Sequence, residues 1–134
     1  MEGFVGNIDE ITVENDNFRK VIFTAPHSQL VVMSLQPGED IGTETHDEND
    51  QFIRIEEGEG KIVMDSEEKD ISDDWAIVIP AGVEHNIINT SDTDELKLYT
   101  IYSPAHHPDG KVEKTKEESK EGSMEEPPEG LMEE

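Results

Sequence analysis

Asp74-Trp75-Ala76-Ile77-Val78-Ile79-Pro80-Ala81-Gly82-Val83-Glu84-His85-Asn86-Ile87-Ile88-Asn89 sets the frame for reading the rest of the chain. Two short apolar runs rich in β-branched residues, 75–79 and 85–89, flank Pro80-Ala81-Gly82. Such runs read as strands, and proline followed closely by glycine reads as a turn. The turn re-aims the chain, so that a new strand opens on His85.

Working outward, residues 18–24 and 29–36 are again β-branched and apolar, with a turn at Ala25-Pro26-His27-Ser28. Gln36-Pro37-Gly38-Glu39-Asp40 is another turn, 41–46 reads as a strand and 47–50 as a polar loop. Residues 51–57 alternate Gln51, Ile53 and Ile55 with Phe52, Arg54 and Glu56, the period of a strand. Glu57-Gly58-Glu59-Gly60 turns the chain back into 61–65, and 67–71 and 95–102 complete the set. Short strands at close spacing, with no helical periodicity before Ser103, predict an all-β sandwich or barrel.

Residues 104–134 change character. They hold ten acidic and four basic side chains with few apolar ones, the composition of a flexible tail. A transient helix is conceivable only over 111–120. The expected organisation is an N-terminal arm at 1–17, a barrel at 18–103 and an acidic tail at 104–134. A length of 134 residues suits one domain, and 32% hydrophobic residues allow a small core. The opening residues lack the basic and apolar regions of a signal peptide, and no apolar stretch is long enough to span a bilayer.

The net charge of −24 repels polyanions, so neither nucleic acid nor an anionic membrane is an expected partner. The chain has no cysteine, so any metal must sit on nitrogen and oxygen donors. Its absence fits a cytoplasmic protein. A salt-rich cytoplasm is a further reading of the acidity, and plain solubility is the simpler one.

Glu44 and His46 are two apart on an expected strand, so their side chains leave one face. Gln51 begins the following strand, and His85 opens the strand after the Pro80 turn. Two imidazoles, a carboxylate and an amide oxygen suit a divalent first-row metal. Spacing leaves open whether His85 meets the other three.

These segments resemble the two motifs of the cupin superfamily, G-x5-H-x-H-x3–4-E-x6-G and G-x5-P-x-G-x2-H-x3-N. Gly38, His46 and Gly58 match the first, with Glu44 at its first histidine and Gln51 at its glutamate. Pro80, Gly82, His85 and Asn89 match the second, with Asp74 in place of its opening glycine. The resemblance covers roughly 18–103. It implies a jelly-roll barrel (a double-stranded β-helix), usually a homodimer, holding one metal ion. The ligand positions fall here on Glu44, His46, Gln51 and His85, and Fe(II), Mn(II), Ni(II), Co(II) and Zn(II) all suit such a set.

The resemblance implies a metal-dependent enzyme on a small oxygen-rich metabolite, of isomerase, lyase or dioxygenase type. The alternative is a non-catalytic module binding a carbohydrate or organic acid, and a vestigial site is the third reading. No side chain is identified as a general base. Asp47, Glu48 and Asp50 read as a charged loop tip, and Arg54 as a surface ion-pair partner. Trp75 reads as core or dimer packing, and His27 as exposed. His106 and His107 read as loop residues rather than ligands, and Tyr99 and Tyr102 are expected on opposite faces of the last strand.

Overall fold

Period-two alternation decides which side chains enter the barrel. β3 (Asp50–Glu57) buries Gln51, Ile53 and Ile55 and leaves Phe52, Arg54 and Glu56 half-buried outside. β7 (His85–Asn89) buries His85, Ile87 and Asn89 in the same way. The computed structural model describes residues 2–119. Its other strands are β1 (Arg19–Thr24), β2 (Gln29–Leu35), β4 (Glu59–Met64), β5 (Glu67–Ser72), β6 (Ala76–Ile79), β8 (Leu96–Ser103) and β9 (Val112–Glu113). No helix among the described residues is long and apolar enough to cross a membrane.

The strands form two sheets, one ordered β6-β3-β8-β2-β1-β9 and the other β5-β4-β7. All their pairings are antiparallel. Val31, Met33, Ile53, Ile55 and Leu98 from the first sheet meet Ile62, Ile71 and Ile87 from the second. Full burial of each such side chain stabilises by roughly 1.5–3 kcal/mol, which holds the sheets face to face. The expected all-β jelly roll is the architecture the chain adopts.

The chain crosses from the large sheet to the small one at Gly58, which has φ +114. A Cβ there would lie 2.7 Å from the Glu95 carbonyl oxygen. Only glycine combines that dihedral with that approach, which accounts for the closing glycine of the first motif.

Four expectations change. The N-terminal arm contains a helix, α1 (Ile8–Glu14), capped by the Asn7 side chain, which accepts the Glu10 N–H. Its β-branched residues hide helical periodicity, but Asn7 followed by Asp9 and Glu10 is a helix-start signal. The strand expected at 41–46 is reduced to two isolated bridges, Asp40 with Ile88 and Glu44 with His85. Between them Gly42, at φ +111, donates its N–H to the Asn86 side chain and leaves the ladder.

Trp75 is 50% exposed, which removes the core half of its expectation and leaves the dimer half. Finally, ordered chain does not stop at 103. β9 pairs with β1, and Arg19 and Glu113 form an ion pair between them. β9 meets the polar start of β1 through charge and backbone rather than hydrophobic patterning, which composition does not reveal. Residues 116–119 are helical, so the helix considered over 111–120 survives only at its end. The rest of the expected tail, 120–134, lies outside the described residues.

Candidate metal centre

The two motif segments are zipped together by their backbones. The Glu44 and His85 N–H groups each donate to the other's carbonyl at 2.9 Å, and the Gly82 N–H donates to His46 O at 2.9 Å. The Pro80 turn thus delivers His85 to the strip carrying Glu44 and His46. Asp74 has φ +73, a left-handed conformation that Asp tolerates better than most residues. The turn therefore survives without the usual glycine. Asn89 is 1% exposed and donates to the Leu35, Gln36 and Asp94 carbonyls. It staples connections and ligates nothing.

The result is a cluster in which one ligand atom each of Glu44, His46 and His85 lies within 4.8 Å of the others. Glu44 Oε1 is 3.1 Å from His46 Nε2. Burial pushes the Glu44 carboxyl up. The hydrogen bond from His46 and the charges of His46, Arg19 and His85 outweigh burial, so it stays below its ordinary value and ionised.

His85 shows most clearly what the cluster is built to hold. Its Nδ1 lies 2.9 Å from the Val83 carbonyl oxygen, which can only accept, so Nδ1 carries the proton. In the neutral ring Nε2 carries a lone pair, yet it is buried and has no hydrogen-bond partner among the described residues. Orienting one ring nitrogen on a backbone carbonyl is how proteins present the other to a metal. Gln51 shows the same pattern. It is 4% exposed, its amide donates to Thr100 Oγ1 at 3.0 Å, and its Oε1 is buried and without a partner among the described residues. Buried acceptors left unpaired are rare and costly. A divalent cation would satisfy both kinds of donor, so the residues fit such an ion.

The expected residues Glu44, His46 and His85 therefore come together. Gln51 enters the same interior from β3, directly opposite Tyr102 on β8. Tyr102 faces inward while Tyr99 is half-exposed, as the alternation requires. The Tyr102 ring meets His46 edge-on at 5.7 Å, and its hydroxyl is 3.4 Å from His107 Nε2. Burial raises the Tyr102 hydroxyl above its ordinary value and keeps it protonated. Asp47 and Glu48 are exposed, and Asp50 accepts the Ala81 N–H, so none joins the cluster. Arg54 pairs with Asp74 on the outside, and His27 is exposed.

The sequence reading missed the histidines after β8. The His106 ring centroid is 4.3 Å from that of His46, and His107 packs on Tyr102 at 5.2 Å. His106 is exposed at the surface, but one face of its ring lies against His46 and Tyr102. That partial desolvation, with the nearby His46 charge, pushes it down to about 4; desolvation with the Arg19 charge pushes His107 down to about 2. Both rings are neutral at neutral pH. The available signal was their position just past Tyr102, but no local pattern reveals that the loop folds back.

Comparison with known proteins agrees with this fold. A family model described as "Cupin domain" matches residues 31–102. An uncharacterized protein of Acanthamoeba polyphaga mimivirus is 53% identical over 114 residues, covering 82% of this chain and 71% of that one. An uncharacterized protein of Bacillus subtilis, YrkC, is 48% identical over 119 residues, covering 84% of this chain and 63% of its own length. The chain thus spans less than two thirds of the Bacillus relative. A crystal structure of a Bacillus halodurans protein superposes with a TM-score of 0.87 at 44% identity, covering 90% of this chain and 95% of that one.

Proposed function

This chain belongs to the cupin family, and we propose that its barrel holds one divalent metal ion on Glu44, His46, His85 and Gln51 and presents it to a small oxygen-rich metabolite. The observation that carries this is His85 Nε2, buried and without a partner among the described residues beside the Glu44–His46 pair. Two imidazoles and one carboxylate match the donor composition of non-haem iron sites, and Gln51 adds a neutral oxygen. A bound ion would act as a Lewis acid on a hydroxy-carbonyl substrate or activate dioxygen.

The chain's own groups then have defined tasks. Glu44 supplies the negative charge. Val83 fixes the His85 tautomer through its carbonyl, and Thr100 orients the Gln51 amide so that its oxygen is free. Tyr102 walls the interior with a protonated hydroxyl. We place the protein in the cytoplasm, as the lack of cysteine favours, and propose a homodimer. β6 is the outer strand of the large sheet, and Val78 on its outward face is 64% exposed, close to the half-exposed Trp75.

Calorimetric titration of chelator-treated protein with Mn(II), Fe(II), Co(II), Ni(II) and Zn(II) tests the assignment. One site per chain is expected, abolished by His46→Ala or His85→Ala. Gln51→Leu should weaken it by about 10–100-fold, the range for losing a group that supports a metal. Unchanged binding in His85→Ala would refute the site. Mass spectrometry of loaded protein with hydroxy-carbonyl compounds separates the two functional readings: an enzyme forms product, whereas a binding module shows saturation alone.

A further inference from the structure

His106 touches the cluster but has no part in it so far. Its ring lies 4.3 Å from His46 and 5.3 Å from Tyr102, centroid to centroid. The backbone around it is held firmly. The His106 and His107 N–H groups both donate to Gln29 Oε1, at 3.1 and 3.0 Å. Gln29 Nε2 returns a bond to the His107 carbonyl at 2.7 Å, and Asn49 Nδ2 donates to the Pro104 carbonyl at 2.6 Å. Gln29 and Asn49 are themselves buried. Two interior amides thus fix the loop that carries the ring.

The ring itself is uncommitted. Neither imidazole nitrogen of His106 has a hydrogen-bond partner among the described residues. The residue is exposed, whereas His46, His85, Gln51 and Tyr102 are all buried. A fixed loop that places an unpaired donor and acceptor against a ligand-bearing histidine, on the solvent side, is arranged to meet something arriving from solvent.

We propose that His106 is a ligand-contacting residue at the mouth of the site, hydrogen-bonding an oxygen of the small molecule bound there. The class of molecule follows from the proposed ligand set. An octahedral ion on four protein donors would keep two positions open. The molecule therefore chelates through two oxygens and carries at least one further oxygen beyond that pair, as hydroxy, keto and dicarboxylic acids do. This rests on the metal reading above, which the test examines separately.

The experiment uses the full chain, wild type beside His106→Ala and His106→Gln, loaded with Co(II) and followed by visible absorption. Two probes are titrated. Malonate chelates and has further oxygens, whereas acetohydroxamate chelates and presents a methyl group instead. Co(II) affinity should be equal in the three proteins. Malonate should bind about tenfold more weakly to His106→Ala, the loss of one hydrogen bond, with His106→Gln restoring most of it. Acetohydroxamate should change by less than about twofold.

Equal malonate affinity in wild type and His106→Ala overturns the proposal, as does a wild type that binds Co(II) and no malonate. Loss of Co(II) from His106→Ala also overturns it, because His106 would then belong to the metal shell. Failure of wild type to bind Co(II) refutes the metal reading itself and this inference with it.

Discussion

A histidine with one nitrogen bonded and the other left open says more than the residue type alone. The Val83 carbonyl accepts the proton of His85 Nδ1, so in the neutral ring the opposite nitrogen is an acceptor. His107 shows the other way a half-buried imidazole behaves. It is packed among Tyr102 and His106, with Arg19, His106, Lys111 and His46 all opposing a positive charge on it. Its folded value of about 2 lies below the ordinary value near 6.5. The stability linked to this group is complete above about pH 6.5 and is lost as pH falls, because the unfolded chain takes up a proton that the native state refuses. Melting curves of wild type and His107→Gln between pH 7.5 and 4.5 check this, since the carboxylates titrate in both. Wild type should lose more melting temperature on acidification than the variant, and parallel losses would contradict the assignment.

The residues of the candidate cluster were legible because the motifs specify them; those that surround it were not. Glu44, His46 and His85 stood in a recognisable pattern. Tyr102 was readable as one face of a strand, but its neighbours depend on β3–β8 register, which no local pattern encodes.

The backbone elements carry a different lesson. Alternation located β3 and β7 to within a residue, because a half-buried strand must alternate. It failed at 41–46, where Gly42 breaks the ladder, and at β9, where two residues are too few to show a period. Composition assigned β9 to an acidic tail, but Glu113 is there to answer a buried cation. Arg19 and Glu113 side chains are 5% and 6% exposed. Removing one partner of a buried pair costs about 3–5 kcal/mol. Glu113→Ala, or truncation after residue 110, should therefore lower the melting temperature by about 10 °C. A change of less than about 2 °C in a calorimetric scan would mean that β9 is only laid against the barrel.

At the scale of the whole molecule, charge dominates. A net −24 on 134 residues is self-repulsive, and added salt screens it. The melting temperature should rise as sodium chloride increases from about 0.05 to 1 M, where the screening length falls from above 10 Å to about 3 Å. A flat or falling curve would show that local pairs such as Lys97 with Asp16 and Glu95 already balance the field. Sedimentation tests the homodimer: a monomer at micromolar concentration would exclude it.

The central claim is that Glu44, His46, Gln51 and His85 hold a metal. It is tested most directly by the metal content of untagged wild type, as purified, beside His46→Ala, measured by inductively coupled plasma mass spectrometry. The account predicts near one divalent ion per wild-type chain and loss of it from the variant. Equal content in both proteins, or none in wild type even after reconstitution, would contradict it.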